Sequence, residues 1–205
     1  MTTRLPYSGE LGRKALHLLA MLMPLGMLIV ERVPALIILG SLAVMAVSAD
    51  LARARWSGFS TWIDRWFGWM MRPSERGKDR SQVLNGATWV MVTAFLLLAV
   101  FPAEFAAPGM VIAMIADAGA ALVGRKLGRH TWPGGSRTVE GSLAFLVTGV
   151  IAAAFFPGIP WGHRLAAIGA TAIAEIPSVP INDNLLLPFV GASVLWILAG
   201  TPPLW

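Results

Sequence analysis

The 205-residue chain contains no cysteine, which excludes disulfides and thiolate metal sites. Histidine is scarce as well. The three residues, His17, His130 and His163, lack the i, i+4 spacing of a zinc pair, which argues against a zinc hydrolase. No Gly-x-Ser-x-Gly nucleophile turn occurs, and the glycine-rich GGSRT is not followed by the Gly-Lys-Ser/Thr of a standard P-loop. Charge is also in short supply: Asp, Glu, Lys and Arg make up 13% of the chain against 56% hydrophobic residues. That balance, with a mean hydropathy of +0.67, is not that of an ordinary soluble domain.

What the chain has in quantity is apolar runs near membrane-spanning length. Seven candidate spans are read at 15–30, 34–49, 83–101, 105–123, 139–156, 165–176 and 185–200. The sixth is the weakest and suits a broken or re-entrant element. A cation-then-apolar start at 13–30 resembles a secretory signal, but the spans that follow make it a first membrane anchor. The expected fold is therefore an all-α, polytopic integral membrane helix bundle, one domain over 1–205. The net charge of +5 has its place in this reading. With the N-terminus cytoplasmic, only Arg32 and Arg164 of the 16 Lys and Arg residues lie outside, and the C-terminus faces the opposite side. Cations split among several membrane-touching loops do not make a nucleic-acid surface.

Between the second and third spans, WSGFSTWIDRWFGWMMRP places Trp56, Phe59, Ile63, Trp66, Phe67 and Met70 at helical spacing. This predicts an interfacial amphipathic helix within 52–72, serving as an anchor or as a lip that guides a lipid.

Ionisable groups at membrane depth cost roughly 2.5–3.5 kcal/mol each on insertion scales, so each needs a reason. Four places qualify. Glu10, Arg13, Lys14 and His17 share one helical face, with His17 a turn inside the apolar run. Asp117 precedes Gly124, Arg125, Lys126 and Gly128, which open a cationic, glycine-rich loop at 124–138 ending in Arg137 and Thr138. Amides, guanidinium groups and hydroxyls of this kind suit a polyphosphate, with an acid to hold a bridging cation. Glu140, followed by Ser142, opens the fifth span, where its helix dipole favours an anion. Finally, AEIPSVPINDNLLLP brackets a proline-broken segment with Glu175, Asp183 and Asn184. Together these predict a nucleotide–metal site reached from the cytoplasm, with a lipid entering sideways.

DAGAALVGRKLGRH followed by SRTVEGSLA resembles the signature of CTP-dependent polyprenol kinases (dolichol kinase, phytol kinase, CTP-dependent diacylglycerol kinase) and of the related phosphatidate cytidylyltransferases. Asp117, Gly124, Arg125, Gly128, Thr138, Glu140, Gly141 and Ser142 match it, while Arg137 stands where a lysine is usual. The Glu10-Leu-Gly-Arg13-Lys14-x-x-His17 start and the Asp183-Asn184-Leu-x-x-Pro element are similar to the kinase branch. The basic and Asp-Arg-x-Asp tracts of the cytidylyltransferases are missing.

The resemblance implies transfer of the γ-phosphoryl group of CTP to a lipid hydroxyl, on an isoprenoid alcohol or diacylglycerol, with a phosphatidate cytidylyltransferase making a CDP-lipid as the alternative. It implies Mg²⁺ on the triphosphate held by Asp117 and Asp183, with Glu175 or Glu140 completing the shell. Lys14, Gly124, Arg125, Lys126, Gly128, Arg137, Thr138, Ser142 and Asn184 are the expected nucleotide contacts. Asp117 is the central catalytic residue, and His17 and Glu140 are the two candidates for the base. A small ion or solute transporter or a membrane scaffold is the rival of another class, and apolar stripes that read alike toward lipid and partner leave room for a homodimer.

Overall fold

The computed structural model of the chain describes residues 7–71, 83–133, 135, 137–177 and 179–204; the side chains of 7, 8, 10, 13, 14, 17 and 70 lie outside this description. The described residues form nine α-helices and one short 3-10 turn, with no strand. The helices are α1 (Tyr7–Leu19), α2 (Leu22–Ile29), α3 (Arg32–Arg55), α4 (Ser57–Phe67), α5 (Gly86–Val100), α6 (Ala103–Leu127), α7 (Val139–Ala153), α8 (Trp161–Glu175) and α9 (Asp183–Leu198).

Local chemistry places the boundaries. Asn85 caps α5 by accepting from the amides of Ala87 at 2.8 Å and Thr88 at 3.0 Å. Thr138 does the same for α7 through Gly141 N, and Asn182 for α9 through Asn184 N. Pro102 and Pro160 stand just before α6 and α8, where a missing N–H costs no helical bond. The first expected span, 15–30, is broken in two. Pro24 has no N–H for the carbonyl of Ala20 and its ring crowds that turn, so the helix stops at Leu19 and restarts at Leu22. The sixth expected span, by contrast, is one uninterrupted helix, α8.

Two helices, α3 and α6, are long and apolar enough to cross a membrane by length and composition, and α5, α7 and α9 are shorter apolar helices. Among the described residues, the expected spans 34–49 and 105–123 thus lie in helices that pass this length criterion. Where the sequence predicts an interfacial helix within 52–72, α3 runs on to Arg55, the chain turns at Trp56, and a separate helix α4 occupies Ser57–Phe67. Trp62 and Trp66 of α4 are exposed.

Helix α6 is the central element, packed chiefly against α7 and α9. Small residues make the close crossings possible. A Cβ on Gly109 would lie 2.6 Å from the backbone nitrogen of Ala192 in α9, and one on Gly119 would lie 2.4 Å from the Thr148 hydroxyl in α7. The outer faces, in contrast, carry many exposed large apolar side chains, among them Ile29, Ile37, Phe155 and Ile173. A water-facing surface would not keep such a face; a lipid-facing one would.

The two arginines that the positive-inside count leaves outside both work at one end of the bundle. Arg32 donates to the carbonyls of Phe101 at 2.9 Å and Ala99 at 3.3 Å, closing the C-terminus of α5. Arg164, buried and stacked on Trp161, donates to the Ala153 carbonyl at 2.8 Å and closes α7. The opposite end collects the C-termini of α3, α6 and α8 and the N-termini of α5, α7 and α9.

Candidate active site

At that opposite end, residues far apart in sequence meet around Arg137. Its Nη1 lies 3.1 Å from Glu175 Oε1 at the end of α8, and its Nη2 donates to Asp183 Oδ2 at the start of α9. Burial of Arg137 works against its charge, but Asp183, Glu175 and Asp117 outweigh it and push its pKa above the ordinary arginine value. The planar fork explains how one side chain engages two helix ends, which a lysine in this position would do less well. Asp117 and Asp183, with Asn184, Leu187 and Pro188, line one small hollow of ≈ 10 Å³, enough for about one water.

The loop that carries Arg137 is held as a tight clasp over α7. Thr131 pairs with Thr138, and Trp132 N donates to the Arg137 carbonyl at 2.9 Å. Three side chains of the expected phosphate-binding and catalytic set secure it. Glu140 accepts from His130, with Nδ1 to Oε1 at 2.7 Å and the backbone N to Oε2 at 3.3 Å. The Ser142 hydroxyl accepts from Trp132 Nε1 at 3.0 Å, and Thr138 caps α7. Glu140 does not line the hollow that Asp117 and Asp183 share.

The glycines of the motif serve the same clasp. A Cβ on Gly128 would meet Gly124 O at 2.2 Å and the Thr138 methyl at 2.7 Å; one on Gly124 would meet the Thr138 hydroxyl at 2.8 Å. Their smallness is required by the approach of α6 to the start of α7 before any ligand is considered. The loop also begins later than 124. Gly124, Arg125 and Lys126 belong to the last turn of α6, where the two exposed cations complement the helix dipole.

Of the expected metal ligands, Asp117 and Asp183 face one hollow, whereas Glu175 has its Oε1 turned to Arg137. Among the described residues no group of three His, Asp or Glu side chains is arranged to hold a metal ion. Mg²⁺ in phosphoryl-transfer sites is commonly bound by one or two carboxylates, with substrate phosphates and water filling the rest, so Asp117 and Asp183 fit such an ion. The side chains of Lys14 and His17 lie outside the described residues.

A second polar cluster, adjoining the first, had not been expected. Asp50, buried at the end of α3, accepts from Asn85 N at 2.8 Å, Asn85 Nδ2 at 2.8 Å and Thr88 Oγ1 at 2.7 Å. Arg53 Nη2, also buried, lies 3.2 Å from Asp50 Oδ1. The signal was an acid one residue past an apolar run, with an arginine three residues on and an Asn-Gly pair opening the next helix. Asn184 ties the two clusters together, since its Nδ2 donates to the Gly86 carbonyl at 3.0 Å. Beside this junction runs an apolar cleft of ≈ 520 Å³ between α1, α2, α3, α4 and α5. Val90 and Asn184 line both the cleft and the hollow of Asp117 and Asp183.

Comparison with known proteins agrees with the motifs. The chain is 29% identical over 174 residues to a CTP-dependent diacylglycerol kinase of Schizosaccharomyces pombe, covering 76% of this chain and 77% of that protein. It is 28% identical over 186 residues to an uncharacterized protein of Rickettsia prowazekii, covering 87% and 89%. It is 34% identical over 89 residues to dolichol kinase of Saccharomyces cerevisiae, covering 39% of this chain and 17% of that protein. No protein-family model and no solved structure matches the chain. These similarities support the relationship that the motifs suggest: the chain is related to the CTP-dependent polyprenol and lipid kinase family.

Proposed function

We propose that the protein is a membrane-embedded, CTP-dependent lipid kinase that moves the γ-phosphoryl group of CTP onto the hydroxyl of a lipid alcohol, diacylglycerol or an isoprenoid alcohol. One observation carries the reading: Arg137 grips Glu175 and Asp183 beside Asp117, at the same end of the bundle where an apolar cleft runs up to Asn184. A charged cluster and an apolar cleft thus share a wall, an arrangement that a lipid kinase requires and an ion-binding scaffold does not.

In this mechanism the lipid hydroxyl oxygen bonds to the γ-phosphorus as the bond from that phosphorus to the β-bridging oxygen breaks, and CDP leaves. Arg137, already oriented by two carboxylates, faces the phosphates with little reorganisation and offsets charge that spreads over the equatorial oxygens. Asp117 and Asp183 would hold Mg²⁺, which would supply positive charge against the triphosphate. In this reading the hydroxyl proton passes to one carboxylate of the hollow as the phosphoryl group is transferred. Glu140, bound to His130 and away from the hollow, serves the clasp in this scheme, and Glu175 holds Arg137. The positive-inside count puts this end, and with it the nucleotide, on the cytoplasmic face.

The test is incubation of the purified protein in lipid vesicles with CTP labelled at the α or the γ position. Label passing to lipid from the γ position alone is expected. Label from the α position alone would mean cytidylyl transfer, and binding without nucleotide consumption would mean a carrier or scaffold.

A further inference from the structure

The cleft between α1, α2, α3, α4 and α5 has no part in the nucleotide chemistry, yet its position and lining are specific. Met23 of α2, Leu42 of α3, Ile63 and Phe67 of α4 and Met91 of α5 make its walls. Methionines on two walls suit a flexible chain better than a rigid ring, because the thioether side chain can rearrange around it. Polarity enters at Asn85, Gly86 and Asn184, which also line the cleft. Those groups are not loose. The Asn85 amide and side chain are fixed on the buried Asp50, and Asn184 is fixed on the Gly86 carbonyl. Asn184 and Val90 are also part of the hollow that holds Asp117 and Asp183. A long apolar space therefore ends in a rigid polar corner next to the carboxylates.

The geometry points to this cleft as the seat of the acceptor's apolar tail, with the Asp50–Asn85–Asn184 corner setting where its hydroxyl stops. The inference rests on the lipid-kinase reading for the identity of the acceptor, but not for the occupancy of the cleft. Continuity with the phosphate-handling hollow selects the occupant: a ligand filling the cleft needs an apolar body and one polar end, and that end must reach Asn184. Helix α4 forms the outer lip. It lines the cleft with the half-buried Ile63 and with Phe67, which reaches the open edge, while Trp62 and Trp66 are exposed, as in an interfacial segment beside which a lipid enters sideways.

Two measurements on the purified full chain in lipid nanodiscs test this. In the first, Met91→Trp and Leu42→Trp fill the cleft, and Ile37→Trp, on the exposed face of α3, is the control. The filled variants should raise KM for a long-chain acceptor about tenfold while KM for CTP stays at the wild-type value, and the control should change neither. Met91→Phe replaces either tryptophan variant that fails to fold. In the second, a long-chain fatty alcohol carrying a diazirine is photolysed and the labelled peptides are mapped. Label should fall on Met23, Ile63 and Met91 and should be lost when the cleft is filled. Even labelling of the outer faces of α3 and α8, insensitive to filling, overturns the proposal, as does an equal rise in both KM values. If the wild type phosphorylates no lipid alcohol, the kinase reading fails, and the labelling still decides whether the cleft holds an apolar chain.

Discussion

Arg137→Leu removes a side chain that joins the loop to the ends of α8 and α9. The partner Glu175 keeps only 2% side-chain exposure and Arg137 itself 27%, so the contact is largely withdrawn from water. Removing one member of a buried pair typically costs 3–5 kcal/mol, and the remaining exposure of Arg137 puts this case near the low end, about 3 kcal/mol. For a chain of this length that is a fall in Tm of roughly 6–12 °C. The variant Arg137→Leu/Glu175→Leu removes both charges and leaves apolar groups in their place. It should lose clearly less than the sum of the two single variants, because a buried pair can be exchanged for packed apolar side chains at little net cost.

Activity should respond differently. Arg137→Leu is expected to lower kcat for lipid phosphorylation by about 10²–10³-fold, the scale of losing one preorganised donor to the transition state, and the double variant should recover stability without recovering rate. Arg137→Lys keeps the charge but not the fork, and should fall between wild type and leucine. Thermal melts in detergent and initial rates with γ-labelled CTP read the two effects separately. Additive stability losses in the double variant would refute the coupling of Arg137 to Glu175. A wild-type rate in Arg137→Leu would refute its place at the phosphates.

Further outcomes follow from the same geometry. Asp117→Asn and Asp183→Asn should each reduce the kinase rate at least about 10²-fold, and chelation of divalent cations should abolish it, with Mg²⁺ restoring the wild type fully. Glu140→Gln keeps an acceptor for His130 and should retain activity within about tenfold; a loss of 10²–10⁴-fold, with His130→Ala near normal, would instead identify Glu140 as the base. Gly109→Ala, whose Cβ would meet the Ala192 backbone, should destabilise by about 1–3 kcal/mol in thermal melts. Gly169→Ala, with nothing within 4 Å of the new methyl, should be neutral or stabilising by up to about 1 kcal/mol.

The sequence made some of this legible and hid the rest for physical reasons. The meeting of Asp117, Arg137, Glu175 and Asp183 could be anticipated because acids at the ends of apolar runs demand a partner and the cationic loop that carries Arg137 offers one. The roles of Thr138, Glu140 and Ser142 could not be assigned that way. The same hydroxyls and carboxylate that suit a phosphate also suit a loop that must be pinned to a helix, and only contacts separate the two uses. Gly124 and Gly128 are ambiguous in the same manner, since room for a ligand and room for a helix are written with one residue. Asp50 escaped notice because it lies beside Arg53 and Arg55, where charge is expected at the end of a span. Its importance depends on Asn85, 35 residues away. The broken first span was marked by Pro24, but hydropathy averaged over a window hides a single break.

Helix lengths explain why these pieces meet where they do. Helices α5, α7 and α8 have 15 residues each, which at the standard rise is about 22 Å, short of a hydrocarbon core of about 30 Å. Helices α3 and α6, with 24 and 25 residues, are long enough to cross it. In a bilayer, a bundle of this kind, closed at one end by Arg32 and Arg164 on helix carbonyls, would fall short of the opposite interface along part of its width, and Arg137 with its carboxylates would stand over that shortfall. On the membrane reading, the depression lets a water-soluble triphosphate descend below the headgroup level while a lipid hydroxyl, tethered by its tail, need not rise out of the bilayer. On the proposed function, the ionisable groups at this end would be the means by which two substrates of opposite solubility reach one point.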